Sequence, residues 1–310
     1  MDYRIKSIVQ NTISLLPLKI SNRIYFFLQR RFGNLKKVNP YLNLISGKTI
    51  LEKLSLSPPE LSNKTFLEIG TGRSPVLALS LWLQGAKEIV TVDINTYFSS
   101  LIWNETIVWI RTNKDLLLRE LPNINESRLD KLLYTSTRNE NIINTLKGFG
   151  IIYLSPCDAS NLPYPNNYFD FHISYNVLEH ISIESLKSIF VEGKRVTTNN
   201  SIFVHYVDHT DHFSHSDSNL SKINFLRFND LFFHFLSGNR YMYMNRLRDD
   251  DYERFFDYLS FDMIEKDIDL DNNILEILNS SESSELINSR FSKKSNFVLS
   301  ILHSWYIFKK

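Results

Sequence analysis

One stretch of this 310-residue chain, Thr65-Phe66-Leu67-Glu68-Ile69-Gly70-Thr71-Gly72, constrains the fold more than any other. Its β-branched and aromatic residues read as a strand, and the Gly-x-Gly that follows reads as a turn whose backbone a ligand can approach closely. Pro75 then opens a periodic segment through Val76, Leu77, Leu79, Leu81 and Leu83, as suits the start of a helix. Strand, glycine turn and helix in that order predict an α/β unit with a ligand beyond the strand's carboxyl end.

Gly-x-Gly alone is common in turns, so acidic residues at the ends of further strands carry the argument. Asp93 ends Glu88-Ile89-Val90-Thr91-Val92-Asp93, about 20 residues on, where nucleotide-binding folds place an acid. Asp158 follows the apolar run Ile151–Leu154, and a fourth strand at Phe169–Ser174 leads through Asn176-Val177-Leu178-Glu179-His180 into a helix at Glu184–Val196. A phosphate-binding Walker loop would need Gly-Lys-Ser/Thr after the turn. The chain has Gly72-Arg73-Ser74-Pro75, which also departs from the dinucleotide pattern Gly-x-Gly-x-x-Gly.

Over residues 64–207 this series resembles the class I S-adenosylmethionine-dependent methyltransferases, with their Glu/Asp-x-Gly-x-Gly loop and a fourth strand that often runs into Leu-Glu-His. The resemblance implies an α/β Rossmann-like sheet, mostly parallel with one antiparallel strand, and S-adenosyl-L-methionine as cofactor. On this basis Glu68, Gly70, Thr71 and Gly72 would cradle the methionine part, and Asp93 with Ile94 beside it the ribose side. Asp158 and Ala159 would face the adenine, and Asn176 the methyl region or the substrate. Ser74 stands where many members have a third glycine.

The rest of the chain is expected to elaborate that core. Residues 1–60 read as an N-terminal helical extension and 61–310 as the methyltransferase domain, with a helical insertion at 97–150 and a substrate lobe at 208–260. Strand five is expected at Ser201–Val207, after Thr197-Thr198-Asn199-Asn200 in place of a Pro-Gly-Gly turn, and late strands at Asp262–Ile268 and Phe297–Phe308. Residues 1–50 hold nine Lys or Arg against Asp2 alone, a net +8, while the whole chain carries +1. That balance argues against nucleic acid as the main partner. The N-terminal segment reads first as a cover over the sheet or cleft, and second as a basic amphipathic element resting on an anionic membrane. The single Cys157 excludes an internal disulfide, and no span approaches the roughly 20 apolar residues of a membrane helix. A cytoplasmic location is expected, with peripheral membrane contact as the extension of the second reading.

Catalytic candidates follow strand five, where His205, His209, His212 and His215, half of the chain's eight histidines, alternate with Asp208, Asp211 and Asp217. Methyl transfer to a hydroxyl needs a proton acceptor, which an imidazole backed by a carboxylate supplies near neutral pH. His212 is the expected base, oriented by Asp211 or Asp208, with His215 as the next candidate. A divalent metal held by the same cluster is the alternative, not favoured because His205 and His209 lie in strand-like sequence rather than on a helix. A polar loop that braces its own backbone is the plainest reading. Arg227, Tyr243, Arg246 and Arg248, in aromatic-rich sequence, are candidates to hold a glycan or anionic substrate. The expected reaction is therefore O-methylation of a glycan or small molecule. N-methylation of a small amine or metabolite, or a non-catalytic cofactor-binding module, are the alternatives.

Overall fold

Runs of Val, Ile, Leu and Phe that are apolar on successive residues suit strands buried on both faces, and here they build the centre of a seven-stranded sheet. In the computed structural model, which describes residues 2–134, 141–280 and 287–310, the strands are β1 Thr65–Ile69, β2 Glu88–Val92, β3 Ile151–Leu154, β4 Phe169–Tyr175, β5 Thr197–Asp208, β6 Asp262–Leu270 and β7 Ile301–Lys309. Their order is β3-β2-β1-β4-β5-β7-β6. The first five pair in parallel, and β7 runs antiparallel to both β5 and β6. Every carboxyl end of β1 to β5 thus opens on one edge, where the order reverses between β1 and β4.

Helices α1 Tyr3–Ser14, α2 Leu18–Phe32, α3 Tyr41–Lys53 and α4 Pro58–Leu61 precede the sheet, and α5 Val76–Leu83 follows β1. The expected insertion contains α6 Ser100–Thr112, α7 Lys114–Glu120, α8 Glu126–Tyr134 and α9 Ile142–Gly148, with 135–140 outside the described residues. Then come α10 Ile183–Val196, α11 Asp230–Ser237, α12 Asp249–Tyr258, α13 Asn272–Asn279 and α14 Asn296–Ser300. All eight residues of α5 are buried, and Leu44, Ile50 and Leu51 of α3 share its core cluster. Residues 41–53 are therefore a wall of the main core.

Two strands begin elsewhere than the sequence predicts. β5 starts at Thr197, which pairs with Phe169 ahead of a register shift and anchors its hydroxyl on Gly193 O at 2.8 Å, so the presumed turn is already strand. β7 starts only at Ile301, because the Ser295 hydroxyl accepts the Val298 N–H and caps the short helix α14.

The N-terminal helices lie over the sheet's carboxyl edge. From α1, Ser7 and Asn11 donate side-chain bonds to Leu236 O (2.7 Å) and Phe235 O (2.8 Å) of α11. From α2, Ser21 bonds the Tyr241 hydroxyl, Tyr25 stacks on Tyr241 at 3.9 Å, and Gln29 accepts from Arg73 of the glycine turn at 2.9 Å. These helices thus meet α11, Tyr241 and the glycine turn through specific contacts, while Ile5, Ile8, Leu15, Phe27 and Phe32 remain exposed.

Candidate active site

β1 ends where Gly70 and Thr71 both donate their N–H to Val92 O, at 2.8 and 3.3 Å, folding the turn across the end of β2. Gly70 has φ +88°, and a Cβ there would lie 2.4 Å from Val177 Cγ2, so only glycine fits both the backbone and the neighbour. Gly72, at φ +68°, has nothing within 4 Å of where its Cβ would be. The loop is packed hard on one side and open on the other.

Asp93 joins this loop to the next one. Its Oδ2 accepts the Gly72 N–H at 2.9 Å and its Oδ1 the Asn95 N–H at 2.8 Å. Burial raises its pKa and those two bonds oppose the rise. Cys157 N–H donates to Asp93 O at 2.9 Å, which brings the loop after β3 alongside. There Asp158 is exposed, its Oδ1 accepting from the Ser160 N–H and hydroxyl, each at 2.8 Å, with Ala159 buried beside it. The Cys157 thiol is pushed up by burial and by Asp158, which suits a filler and not a nucleophile. Ile94, an apolar residue directly after Asp93, is 67% exposed. Asn176, with φ +57°, follows β4 and donates its N–H to Tyr206 O at 3.1 Å.

Glu68 is the unusual member. It is 3% exposed, its Oε2 has no hydrogen-bond partner, and burial with the added charge of Asp93 pushes its pKa up to about 8 against a bond from Thr91. Thr91 in turn bonds the Thr71 hydroxyl at 2.6 Å, a brace that a strand threonine gave no sign of in the sequence. Arg73 points away from the loop, bonded to Gln29 and placed over the rings of Phe26 (4.9 Å) and Tyr97 (5.3 Å).

Residues 133–205 match the family model of a methyltransferase domain. Over those residues the chain is similar to a methyltransferase domain, and the strand order and the loop just described agree with that likeness. No curated protein matches the chain significantly in sequence. Solved structures with some likeness include a methyltransferase from Methanosarcina mazei described as S-adenosylmethionine-dependent (13% identity, TM-score 0.45, 80% of this chain and 93% of that one). Another is the geranyl diphosphate C-methyltransferase of Streptomyces coelicolor (10%, TM-score 0.43, 85% and 79%). A third is a phosphoethanolamine N-methyltransferase of Haemonchus contortus (15%, TM-score 0.48, 99% and 60%).

The cofactor of class I methyltransferase domains is S-adenosylmethionine, and the residues present fit it. An unpartnered buried carboxylate oxygen on Glu68 suits an ammonium, the open side of Gly72 leaves room for a ligand, and Asp93 offers acceptor oxygens for hydroxyls. With Arg73 turned away, the loop presents no cation of its own to a phosphate, as a phosphate-free cationic cofactor requires.

The expected catalytic segment divides. His205 is core: its ring bonds Ser174 Oγ at 2.7 Å and the His172 ring at 3.2 Å. His209 is core as well, held by Leu247 O and Ser304 Oγ. Asp208 is the last residue of β5, and it gathers His212 Nε2 at 3.2 Å and His215 Nε2 at 3.7 Å, while its Oδ1 accepts the Thr210 N–H at 2.7 Å. Burial alone would raise the Asp208 pKa, but the neighbouring His212 and Thr210 hold it well below the usual carboxylate range. Asp211 does not orient His212, because its oxygens are taken by Phe213 N–H (2.8 Å) and Asn224 Nδ2 (3.1 Å).

Sequence reasoning undervalued two neighbours. His180 packs its ring 4.8 Å from that of His212, and Glu179 brings a carboxylate oxygen within 4.8 Å of a ring nitrogen of each. Both sit in the Leu178–His180 turn directly after Val177, so Val177 packed on Gly70 links this cluster to the cofactor loop. His303, from β7, adds a ring nitrogen 3.7 Å from Asp208. It is remote in sequence, and only the β5–β7 pairing brings it here.

The substrate candidates also divide. Arg248 is wholly buried and donates to His209 O, Leu299 O and Ile301 O. Arg246 is buried over the Phe233 ring at 4.2 Å and donates to Phe225 O, Phe228 O and Asp230. Neither is available to a substrate anion, because backbone carbonyls already occupy both guanidiniums. Arg227 is exposed and lines, with Arg4, Tyr3 and Phe232, a cavity of about 360 Å³ between α1 and α11. The Tyr243 carbonyl accepts from His180 Nδ1 at 2.8 Å, which puts Tyr243 beside the cluster.

Proposed function

We propose that this methyltransferase acts on a hydroxyl group of a glycan or small molecule, activated by the Asp208–His212–His215 cluster. S-adenosylmethionine supplies a methyl group on a sulfonium, from which a neutral thioether leaves. The chain's own part is to align the acceptor and to manage its proton. Glu68, Gly70, Gly72 and Asp93 hold the donor side, with Ile94, Asp158 and Ala159 along the same edge. Asp208, fixed by the Thr210 N–H, keeps an imidazole beside the acceptor, and that pair takes the hydroxyl proton.

The observation that carries this reading is the Asp208–His212 approach of 3.2 Å on the carboxyl edge, one residue run from the cofactor loop. An amine acceptor attacks through its neutral form and has less need of such a pair, so N-methylation of a small amine is the second reading. A non-catalytic module is disfavoured by the complete loop. The exposed apolar residues Leu15, Phe27 and Phe32, with Lys19, Arg23 and Arg31 on the same helices or next to them, favour an acceptor presented at an anionic membrane surface. Among the described residues no helix is long and apolar enough to cross a membrane.

One experiment covers these points: labelled S-adenosylmethionine is offered with free glycans, lipid-linked glycans in anionic vesicles, and small amines. Label on a hydroxylated acceptor, greater with vesicles, and a fall of at least about 100-fold in His212→Asn is expected. Label on amines alone, or full turnover in His212→Asn, contradicts the reading.

A further inference from the structure

We propose that Asp208, His212 and His215 bind a divalent first-row transition-metal ion, with Glu179 and His180 on its open side. The donor atoms of Asp208, His212 and His215 all lie within 4.8 Å of one another, and so do those of Glu179, His180 and His212. His212 belongs to both groups, so the two donor sets adjoin at its ring. Imidazole and carboxylate together suit Mn, Fe, Co or Zn.

Ordinary hydrogen bonding explains part of the cluster and leaves its centre unexplained. Thr210 accounts for one oxygen of Asp208, and its hydroxyl meets His215 Nε2 at 2.9 Å. Glu179, however, is 2% exposed with neither carboxylate oxygen hydrogen-bonded. His212 Nε2 is likewise buried without a hydrogen bond, its approach to Asp208 being skewed. Among the described residues, the ion-pair partners of Asp208 are His212, His215 and His303, and no Lys or Arg reaches it or Glu179. Among the described residues these two buried acidic side chains meet imidazoles alone, the donor set that a divalent cation from outside the chain would complete.

The surroundings prepare the rings as ligands. His180 Nδ1 donates to Tyr243 O, which leaves Nε2 as the free lone pair in the neutral ring, the arrangement that orients metal-bound histidines. His303 bonds Asp269 at 2.9 Å through Nδ1 and leans toward Asp208 from behind. The inference rests on the hydroxyl-acceptor reading of the same site and assigns activation of the hydroxyl to the ion in place of the Asp208–His212 base. The ion's charge acidifies an acceptor hydroxyl placed beside it. The proton passes to water, the O–CH3 bond forms, and the S–CH3 bond breaks with its electron pair on sulfur. His212 then acts as a ligand and not as a free base.

The test uses the full chain, stripped with a chelator and dialysed, then titrated with Co2+ by calorimetry and visible absorption, with S-adenosylhomocysteine binding as the check of folding. One equivalent of Co2+ with a ligand-field spectrum is expected. Affinity should fall at least 100-fold in Asp208→Asn and in the more exposed His215→Gln, and stay unchanged in His234→Ala, a surface histidine on α11. No Co2+ binding by protein that still binds S-adenosylhomocysteine, or equal binding in all variants, overturns the site. Metal binding with methyl transfer confined to amines would uphold the site and defeat the hydroxyl reading. Hydroxyl methylation that survives the chelator, without Co2+ binding, would do the reverse.

Discussion

Glu68→Gln stabilises the cofactor-free protein above neutral pH and at the same time weakens cofactor binding. The wild-type carboxyl has a folded pKa near 8 against an ordinary 4.5. Between those values the folded state binds a proton that the unfolded chain lacks, so stability falls as pH rises through this window. By pH 8 the accumulated cost is on the order of 5 kcal/mol, at about 1.36 kcal/mol per pH unit. Glutamine keeps the shape and the chance of a bond to Thr91 without ever ionising. Thermal melts of the two proteins should coincide near pH 5 and diverge at pH 8, with the variant higher. Binding tells the opposite story, because an ammonium held by Glu68 requires the carboxylate. Wild type should release about one proton on binding S-adenosylhomocysteine at pH 7, and affinity should rise with pH from about 6 to 8. In the variant the proton release disappears and affinity drops by roughly 50-fold, about 2.3 kcal/mol for a lost charge-assisted bond. Equal affinity and equal melts would mean that Glu68 faces no cation.

Arg248→Met should cost about 3–5 kcal/mol of stability, or roughly 10 °C in Tm, with little direct effect on how an acceptor is held. The Arg248 guanidinium ties its own segment to two others: His209 after β5, and the α14–β7 junction through Leu299 and Ile301. Its burial lowers its pKa to about 10, and the acidic run Asp249 to Asp251 compensates the charge from the start of α12. Removing it strands three carbonyls and leaves that acidic run without its buried countercharge. Differential scanning calorimetry with Arg227→Met as a surface comparison checks this. A normal Tm with a raised KM for anionic acceptors would instead make Arg248 a substrate ligand.

Arg248 also shows where the sequence stops being informative. The cofactor loop was legible because its parts are local: a strand, two glycines and a carboxylate at fixed spacing, with Asp93 directly after β2 and Asp158 in the loop after β3. A mostly parallel sheet with one antiparallel strand followed from the resemblance, while the order β3-β2-β1-β4-β5-β7-β6 came only with the structure. An arginine near aromatic residues carries no such local signal. Arg246 and Arg248 look like substrate clamps in the sequence, yet backbone carbonyls 18 or more residues away claim them. The histidine-rich run behaves likewise. His205 and His209 lie in or beside β5 with inward neighbours, and Asp208 closes the strand facing the cluster. Glu179 was visible in Leu178-Glu179-His180, but its unpaired burial depends on tertiary packing that the sequence does not show, and His303 arrives only through β7. The start of β7 was misplaced for a local reason, since Ser295 caps a helical turn that the apolar run Phe297–Leu299 conceals.

Calorimetric titration of the purified protein with S-adenosylhomocysteine, beside NADH and an Asp93→Ala variant, tests the central claim most directly. The loop geometry predicts one site for S-adenosylhomocysteine, no binding of NADH, and loss of the site when Asp93 no longer holds Gly72 and Asn95. Binding of NADH alone, or of neither compound by folded protein, would contradict the assignment of the carboxyl edge to a methyl donor.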